Sequence, residues 1–310
     1  MVKEKDITEK QLEALNDVFA DIINALIFNG RQVVKEDELE PAMPQSQFKA
    51  GGVIHEQERD VAKFWKNGCI RLALYGTENQ TDVDQDMPLR VFSYDGASYK
   101  EQVLQHESAK RNRDSNIAPL PTYPAITLVL HFGKKPWDGP TTLFECFGVD
   151  IPDELKPFIN DYKLNIINIA YLTPEQVKRF KSDFRIVADY FVQSRISGDY
   201  IPPPEKLTHV DEVLKLMAAL TRDDRFIHVV NDSDLWRSEE GGGISMCEVL
   251  DKVEQRGFAA GQAEGKAERD SFYGKLMQLL APLGRLEELV AATSDKAKLA
   301  SLAKEFGLEI

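Results

Sequence analysis

The sequence predicts a mixed α/β fold, in which a central sheet is flanked by helices and a helical C-terminal region follows. The main observation is a strand pattern, a long helix pattern and a second strand pattern in succession over residues 70–132. This order is typical of a crossover unit, whose two strands pair in parallel. An amphipathic helix pattern precedes the unit, and residues 244–310 are almost entirely helix-forming.

The first element is a helix over residues 10–28, because apolar residues recur there at helical spacing and an Asn-Gly stop signal follows. Asp17, Asp21 and Asn24 share its less apolar face. This polar face is compatible with a solvated helix surface and also with an acidic contribution to a site. Residues 31–58 are polar and rich in glycine and proline, which predicts a short strand followed by an irregular segment.

The apolar segment 70–76 predicts a strand that is covered on both faces of the sheet. Asp86 is a candidate N-cap for a helix that runs to Arg113, although residues 91–94 alone also fit a strand. Residues 125–132 are short, β-branched and bounded by turn residues, so they predict the second strand of the crossover unit.

Further elements divide the chain into three predicted regions. We predict a strand at 163–169 and helices at 176–194 and 210–220, with breaks at a proline run (202–204) and a glycine run (241–243). The regions are therefore a core at 1–200, a helical segment with linkers at 201–243, and a helical tail at 244–310. In the tail, three glycines at a period of four form one helix stripe, which favours self-association into a homo-oligomer as much as a weak helix. They are Gly257, Gly261 and Gly265.

Composition limits the classes of protein to consider. The chain has 310 residues and a formal charge of −13, which argues against a surface coated with basic nucleic-acid-binding residues but leaves room for a local basic groove. The cysteines, Cys69, Cys146 and Cys247, form no CxxC pair, so we expect neither a disulfide framework nor a zinc site. We find no apolar signal segment or membrane span and expect a cytoplasmic protein.

Candidate chemistry is concentrated around residues 59–82. Glu78 and Gln80 come at the end of a predicted buried strand, and their spacing of two points both side chains to one face. Asp60 lies close to Glu78 if the segment that follows Asp60 pairs as a hairpin with the strand that ends at Glu78. Two carboxylates with the Asn79 carbonyl between them would form the hard-oxygen site that Mg²⁺ prefers.

Several stretches carry a family resemblance, and it covers roughly residues 15–190. They are FADIINALIFNG (19–30), RDVAKFW (59–65), GTENQTD (76–82), DMPLRVFSYDGASYKEQ (86–102) and ITLVLHFGKKPWDGP (126–140). The chain thus resembles the PD-(D/E)XK nuclease superfamily and, within it, the recombination-promoting nuclease/transposase family. The resemblance implies a restriction-endonuclease-like core and a Mg²⁺-dependent DNA endonuclease, with Mn²⁺ as a substitute metal and a link to recombination or transposition.

The resemblance also implies roles for individual residues. Asp60 and Glu78 would bind the metal, with the Asn79 carbonyl as a third ligand, and Gln80 would orient the attacking water or the phosphate. Gln80 departs from the superfamily, which usually has lysine there, and an amide cannot neutralise developing charge. Asp21, or else Asp17, would be the acid of the first helix. Four residues of the following helix would be accessory or phosphate-binding groups: Arg90, Tyr94, Tyr99 and Gln102.

A rival interpretation belongs to a different class of protein. In it the nuclease-like core is a catalytically weak scaffold, and the helical tail serves assembly or docking. The acidic charge and the missing lysine favour this rival, whereas the complete set Asp60, Glu78 and Gln80 favours the enzyme. The histidines lack the spacing of a zinc hydrolase, and the glycine run lacks the Lys-Ser/Thr of a phosphate-binding loop.

Overall fold

The computed structural model describes residues 10–42, 45–50, 53–68, 70–111, 121–221, 224–231, 244–293 and 295–308. Cys69, Arg113 and the glycine run 241–243 lie outside these ranges. The chain divides into two compact units, Met1–Val249 and Leu250–Ile310. The first unit contains the described strands, and the second is helical.

Two helices stand where the pattern predicts one N-terminal helix. They are α1 (Gln11–Ala14) and α2 (Asn16–Leu26), and they meet at Leu15, whose extended backbone (φ −71°, ψ 136°) interrupts the helix. Buried Lys63 bridges the interruption, since its Nζ donates to the last carbonyl oxygen of α1 at 2.6 Å and to the first side chain of α2. The end of α2 agrees with the predicted stop signal, because Asn29 there adopts a left-handed backbone (φ 55°).

A five-stranded mixed sheet forms the centre of the first unit, in the order β1-β4-β5-β6-β7. β1, β4 and β5 pair antiparallel, whereas β5, β6 and β7 pair parallel, which confirms the predicted crossover unit. A separate antiparallel hairpin, β2-β3, occupies the segment predicted to be irregular, so that prediction was wrong. The strands are β1 (Leu39–Pro41), β2 (Gln45–Ala50), β3 (Val53–Glu58), β4 (Val61–Asn67), β5 (Ile70–Gln80), β6 (Ala125–His131) and β7 (Asn165–Asn168).

Helices cover both faces of the central sheet. On one face, Met87 and Val91 of the long helix α3 pack against Val129 and Leu164. On the other face, α1 meets β5 through buried Glu13. The remaining helices of the first unit follow β6 in the chain. The helices after α2 are α3 (Met87–Arg111), α4 (Leu143–Cys146), α5 (Pro174–Val177), α6 (Phe184–Ser197), α7 (Val210–Thr221) and α8 (Asp224–Asn231).

Helix positions confirm the prediction at α3 and α7 and correct it at α6. The segment 91–94 lies inside α3, so its strand alternative was wrong. The helix predicted at 176–194 is divided, because α5 ends at Val177 and α6 begins only at Phe184. Asp183 in this interval accepts hydrogen bonds from the backbone N–H groups of Thr208 and His209, at 2.8 and 2.6 Å, and so holds the chain that leads into α7.

The second unit consists of most of α9 (Met246–Leu280) with α10 (Leu286–Ala292) and α11 (Lys296–Glu305). Its small core gathers apolar side chains from all three helices: Leu276, Leu280, Leu289, Ala292 and Leu302. Across the described parts of the chain, no helix has the length and apolar character needed to cross a bilayer.

Candidate active site

The structure brings Asp60 and Glu78 to the same end of the β4-β5 pair. Val61 is opposite Thr77 in this antiparallel pair, so the residue before β4 comes beside the residues that end β5. The Asn79 N–H donates a hydrogen bond to Asp60 Oδ2 at 2.6 Å, which fixes the carboxylate against the strand end. Asp60 remains partly accessible, with 17% of its side chain exposed.

Glu78 is a buried carboxylate without full compensation. Only 1% of its side chain is exposed, and its Oε1 atom has no hydrogen-bond partner among the described residues. Burial raises the pKa of Glu78 to about 8, and the nearby charge of Asp60 raises it as well, while Arg90 opposes the shift. An ionised Glu78 at this position therefore requires positive charge nearby.

Arg90 supplies part of that charge from the first turn of α3. Its Nη2 lies 3.3 Å from Glu78 Oε2, and its Nη1 lies 2.7 Å from Asp84 Oδ2. The Tyr94 hydroxyl accepts from Nε and Nη2 of the same guanidinium, at 3.3 and 3.2 Å. Burial raises the pKa of Tyr94, and the Glu78 charge adds to the shift, so this hydroxyl remains protonated at neutral pH.

Gln80 lies on the same strand face as Glu78 and is half-buried. It is opposite His131 in the parallel pair with β6, and its carbonyl oxygen accepts from the Phe132 N–H at 2.8 Å. After β6, the chain turns tightly at Gly133 against the end of β5. A Cβ on Gly133 would lie 2.4 Å from His131 Nε2 and 3.1 Å from the Thr81 carbonyl oxygen, so only glycine fits there without displacement.

The first-helix acids make their described contacts with later parts of the chain. Asp21 Oδ2 accepts from the backbone N–H groups of Lys181 and Ser182, each at 2.7 Å. Asp17 Oδ2 lies 2.7 Å from His209 Nε2. Both carboxylates tie α2 to later parts of the chain, but the buried Asp21 Oδ1 has no hydrogen-bond partner among the described residues, so the role of either acid at the site stays a prediction.

Glu13 is the acid of the N-terminal helices that contacts β5, and sequence reasoning missed it. It is fully buried, and its Oε2 accepts from the Thr77 hydroxyl at 2.8 Å, on the sheet face opposite Glu78. The apolar pattern of the helix gave no signal for it. Asn79 shares the strand face of Thr77, and its buried side-chain amide has no hydrogen-bond partner within the described ranges.

Tyr99 and Gln102 act at the entry to β6 and not at the carboxylate pair, which corrects their predicted accessory role. Gln102 is buried, donates from Nε2 to the Tyr123 carbonyl oxygen at 3.1 Å and accepts from the Tyr123 N–H at 2.9 Å. The Tyr99 hydroxyl accepts from the Ala125 N–H at 3.1 Å. Together they hold the extended chain that leads into the strand.

Replacement of Gln102 by leucine is therefore expected to lower stability without changing the chemistry of the site. Two buried backbone groups of Tyr123 lose their partner, and each such loss costs about 1–3 kcal/mol. Urea unfolding should show a loss of at least about 2 kcal/mol, which is the sum of the two lower limits. Unchanged stability, or a changed metal affinity in the folded variant, would contradict the structural role.

A buried ion-pair network lies next to the site. Arg59, the residue before Asp60, pairs with Asp95 Oδ1 at 2.5 Å, and only 4% and 2% of their side chains are exposed. The hydroxyl of Thr127 donates to the same oxygen at 2.8 Å, and that of Tyr162 donates to Oδ2. The network links the start of β4 to α3, which carries Arg90 and Tyr94. A Cβ on Gly76 would lie 2.8 Å from Arg59 Cδ, so this glycine makes room for the network.

The side chains at the site supply only some of the ligands that a hard divalent cation needs. In the described ranges, no group of three or more His, Cys, Asp or Glu side chains is arranged to hold a metal ion. Asp60 and Glu78 supply two carboxylates, and Mg²⁺ usually keeps several waters when protein supplies one or two. The unsatisfied Oε1 of Glu78 and the raised pKa of this residue fit a cation beside it. Ligation by the Asn79 carbonyl stays a prediction.

Comparisons with protein-family models, with curated proteins and with solved structures each found no match to this chain.

Proposed function

We propose that the chain is a Mg²⁺-dependent endodeoxyribonuclease whose metal is held by Asp60 and Glu78. The observation that carries the proposal is the buried Glu78 Oε1, which has no described hydrogen-bond partner and lies beside a second carboxylate and a half-exposed arginine. Burying a carboxylate is costly unless it is paired or bound to metal. A divalent cation would offset this cost and would make use of both acids.

The proposed reaction is hydrolysis of a DNA phosphodiester by a water. Mg²⁺ at this site would polarise a phosphoryl oxygen and lower the pKa of the attacking water. The chain contributes position: the Asn79 N–H fixes Asp60, and Arg90 holds Glu78 Oε2, which leaves Oε1 for the cation. The Gln80 amide, on the same strand face, orients the water or the phosphate. The family resemblance supports DNA as the substrate and recombination or transposition as the context.

Cleavage of supercoiled plasmid tests the proposal. We expect nicking with Mg²⁺ or Mn²⁺ that EDTA stops and that Asp60→Asn abolishes. As a matched control, Asp153→Asn changes an exposed acid that pairs only with Lys156 among its described contacts, and it should cleave like the wild type. Cleavage that survives in Asp60→Asn would place the activity elsewhere.

Absence of cleavage by the folded wild type would favour the assembly role of the helical tail. The observation that supports this second candidate is the open stripe on α9. A Cβ on Gly257, Gly261 or Gly265 would meet no atom within 4 Å, and the side chain of Phe258 beside them is 69% exposed. The two roles are separable, because oligomeric state can be measured on the same samples.

Metal binding should depend on pH in a defined direction. The raised pKa of Glu78, about 8, means that Mg²⁺ must displace a proton below that pH. We therefore expect Mg²⁺ to raise the melting temperature more at about pH 8.5 than at about pH 6. Thermal unfolding over a Mg²⁺ titration at both pH values measures this. Equal shifts at both pH values would argue against Glu78 as a ligand.

A further inference from the structure

Arg90 combines contact with Glu78 and access to solvent. Its Nη2 is 3.3 Å from Glu78 Oε2, yet 37% of the arginine side chain is exposed. Arg59, the other nearby arginine, is 4% exposed and is held by Asp95, so it cannot reach a bound substrate. The position of Arg90 is thus that of a cation that can touch both the metal-binding carboxylate and a molecule entering from solvent.

The guanidinium is held in place even without Glu78. Asp84 Oδ2 accepts from Nη1 at 2.7 Å, and the Tyr94 hydroxyl accepts from Nε and Nη2. The three partners accept four hydrogen bonds in all, and a guanidinium has five N–H donors, so a donor remains for a ligand. A donor that is fixed before the reaction needs no reorganisation when charge develops, which is the condition for strong electrostatic catalysis.

We infer that Arg90 is a catalytic residue, whose guanidinium contacts the reacting phosphate and neutralises the charge that develops on its oxygens. The inference rests on the proposed nuclease function. In the reaction, a water oxygen bonds to phosphorus as one phosphorus–ester oxygen bond breaks. One water proton goes to the leaving alcohol oxygen, and the other stays with the phosphate monoester. The Gln80 amide is neutral, so the metal and the nearby side-chain cations must meet the charge: Arg90, which contacts Glu78, and Lys10, whose Nζ lies 3.6 Å from Asp60 Oδ1.

The Mn²⁺ affinity of an Arg90 variant distinguishes a catalytic role from a purely structural one. A cation 3.3 Å from Glu78 opposes binding of a second cation, so Arg90→Gln should leave Mn²⁺ affinity unchanged or tighter while it slows cleavage. If Arg90 only supported the shape of the site, its loss would weaken Mn²⁺ binding and cleavage together. The two measurements therefore separate catalysis from positioning.

The test compares single-turnover cleavage of a DNA duplex and Mn²⁺ affinity by calorimetry in matched variants. We expect Arg90→Gln to cleave about 10²–10³-fold more slowly, the effect of removing one transition-state donor. Arg111→Gln, on the same helix and paired only with Glu107 among its described contacts, should cleave at the wild-type rate. Adding Gln80→Lys to Arg90→Gln restores a cation on the Glu78 face of β5, and at least about tenfold recovery is expected.

The inference is overturned if Arg90→Gln cleaves at the wild-type rate, if its rate falls in step with Mn²⁺ affinity, or if Gln80→Lys restores nothing. Failure of the nuclease proposal has a different signature. In that case the wild type itself does not cleave with any metal, and both proposals fall together.

Discussion

Replacing Glu78 with glutamine is expected to abolish metal-dependent cleavage and, at the same time, to stabilise the metal-free fold near pH 8. Glutamine keeps the shape of the side chain but carries no charge, so it removes one of the two proposed carboxylate ligands. We expect cleavage to fall by about 10³-fold or more, as it does when a catalytic group is removed. Stability rises because the buried charge disappears.

The stability effect has a sign that depends on pH. The pKa of Glu78 is raised from its ordinary value of 4.5 to about 8 in the fold, so between these values the folded chain holds a proton that the unfolded chain releases. The wild type therefore loses stability as pH rises through this window, and Glu78→Gln does not lose this contribution. Urea unfolding at about pH 5 and about pH 8 measures the difference. A variant less stable than the wild type at the higher pH would contradict the assignment.

Asp95→Ala is expected to produce the largest loss of stability. The change leaves Arg59 buried without its carboxylate and removes the acceptor for the hydroxyls of Thr127 and Tyr162. Breaking a buried ion pair from one side costs about 3–5 kcal/mol. The network also holds α3 against the sheet, so Arg90 would shift and cleavage would fall even in the folded fraction.

Urea unfolding followed by tryptophan fluorescence measures this effect in the first unit, because all 3 tryptophans of the chain precede its boundary at Val249. Arg111→Ala, which breaks an exposed pair with Glu107, should cost less than about 0.5 kcal/mol. Arg59→Met added to Asp95→Ala should recover part of the loss, since no charge of this pair then remains buried. If Asp95→Ala and Arg111→Ala lowered the free energy of unfolding equally, the buried network would contribute little.

The sheet and its crossover were predictable because their signals are local. Strand β6 is β-branched and bounded by turn residues, and α3 begins at a proline-containing first turn, so each element is encoded within its own segment. The interruption at Leu15 was not predictable, because Lys63 bridges it from β4. The hairpin β2-β3 was also missed, since its polar residues gave no strand pattern.

The same distinction applies to the site. Asp60 and Glu78 could be placed together because strand alternation and hairpin pairing determine their positions. The partners of Asp21 could not, because they are backbone groups of Lys181 and Ser182, distant in sequence. Arg59 and Asp95 were overlooked for a similar reason, since burial turns two ordinary charged residues into a network only in the folded chain.

Calorimetric titration of Mn²⁺ at about pH 8 tests the central claim most directly, because it asks whether Asp60 and Glu78 form a metal site at all. We predict one binding event per chain in the wild type, absent in Glu78→Gln and in Asp60→Asn although both remain folded. Binding that is equally strong in the wild type and in both variants would contradict the account, and so would no binding by the wild type.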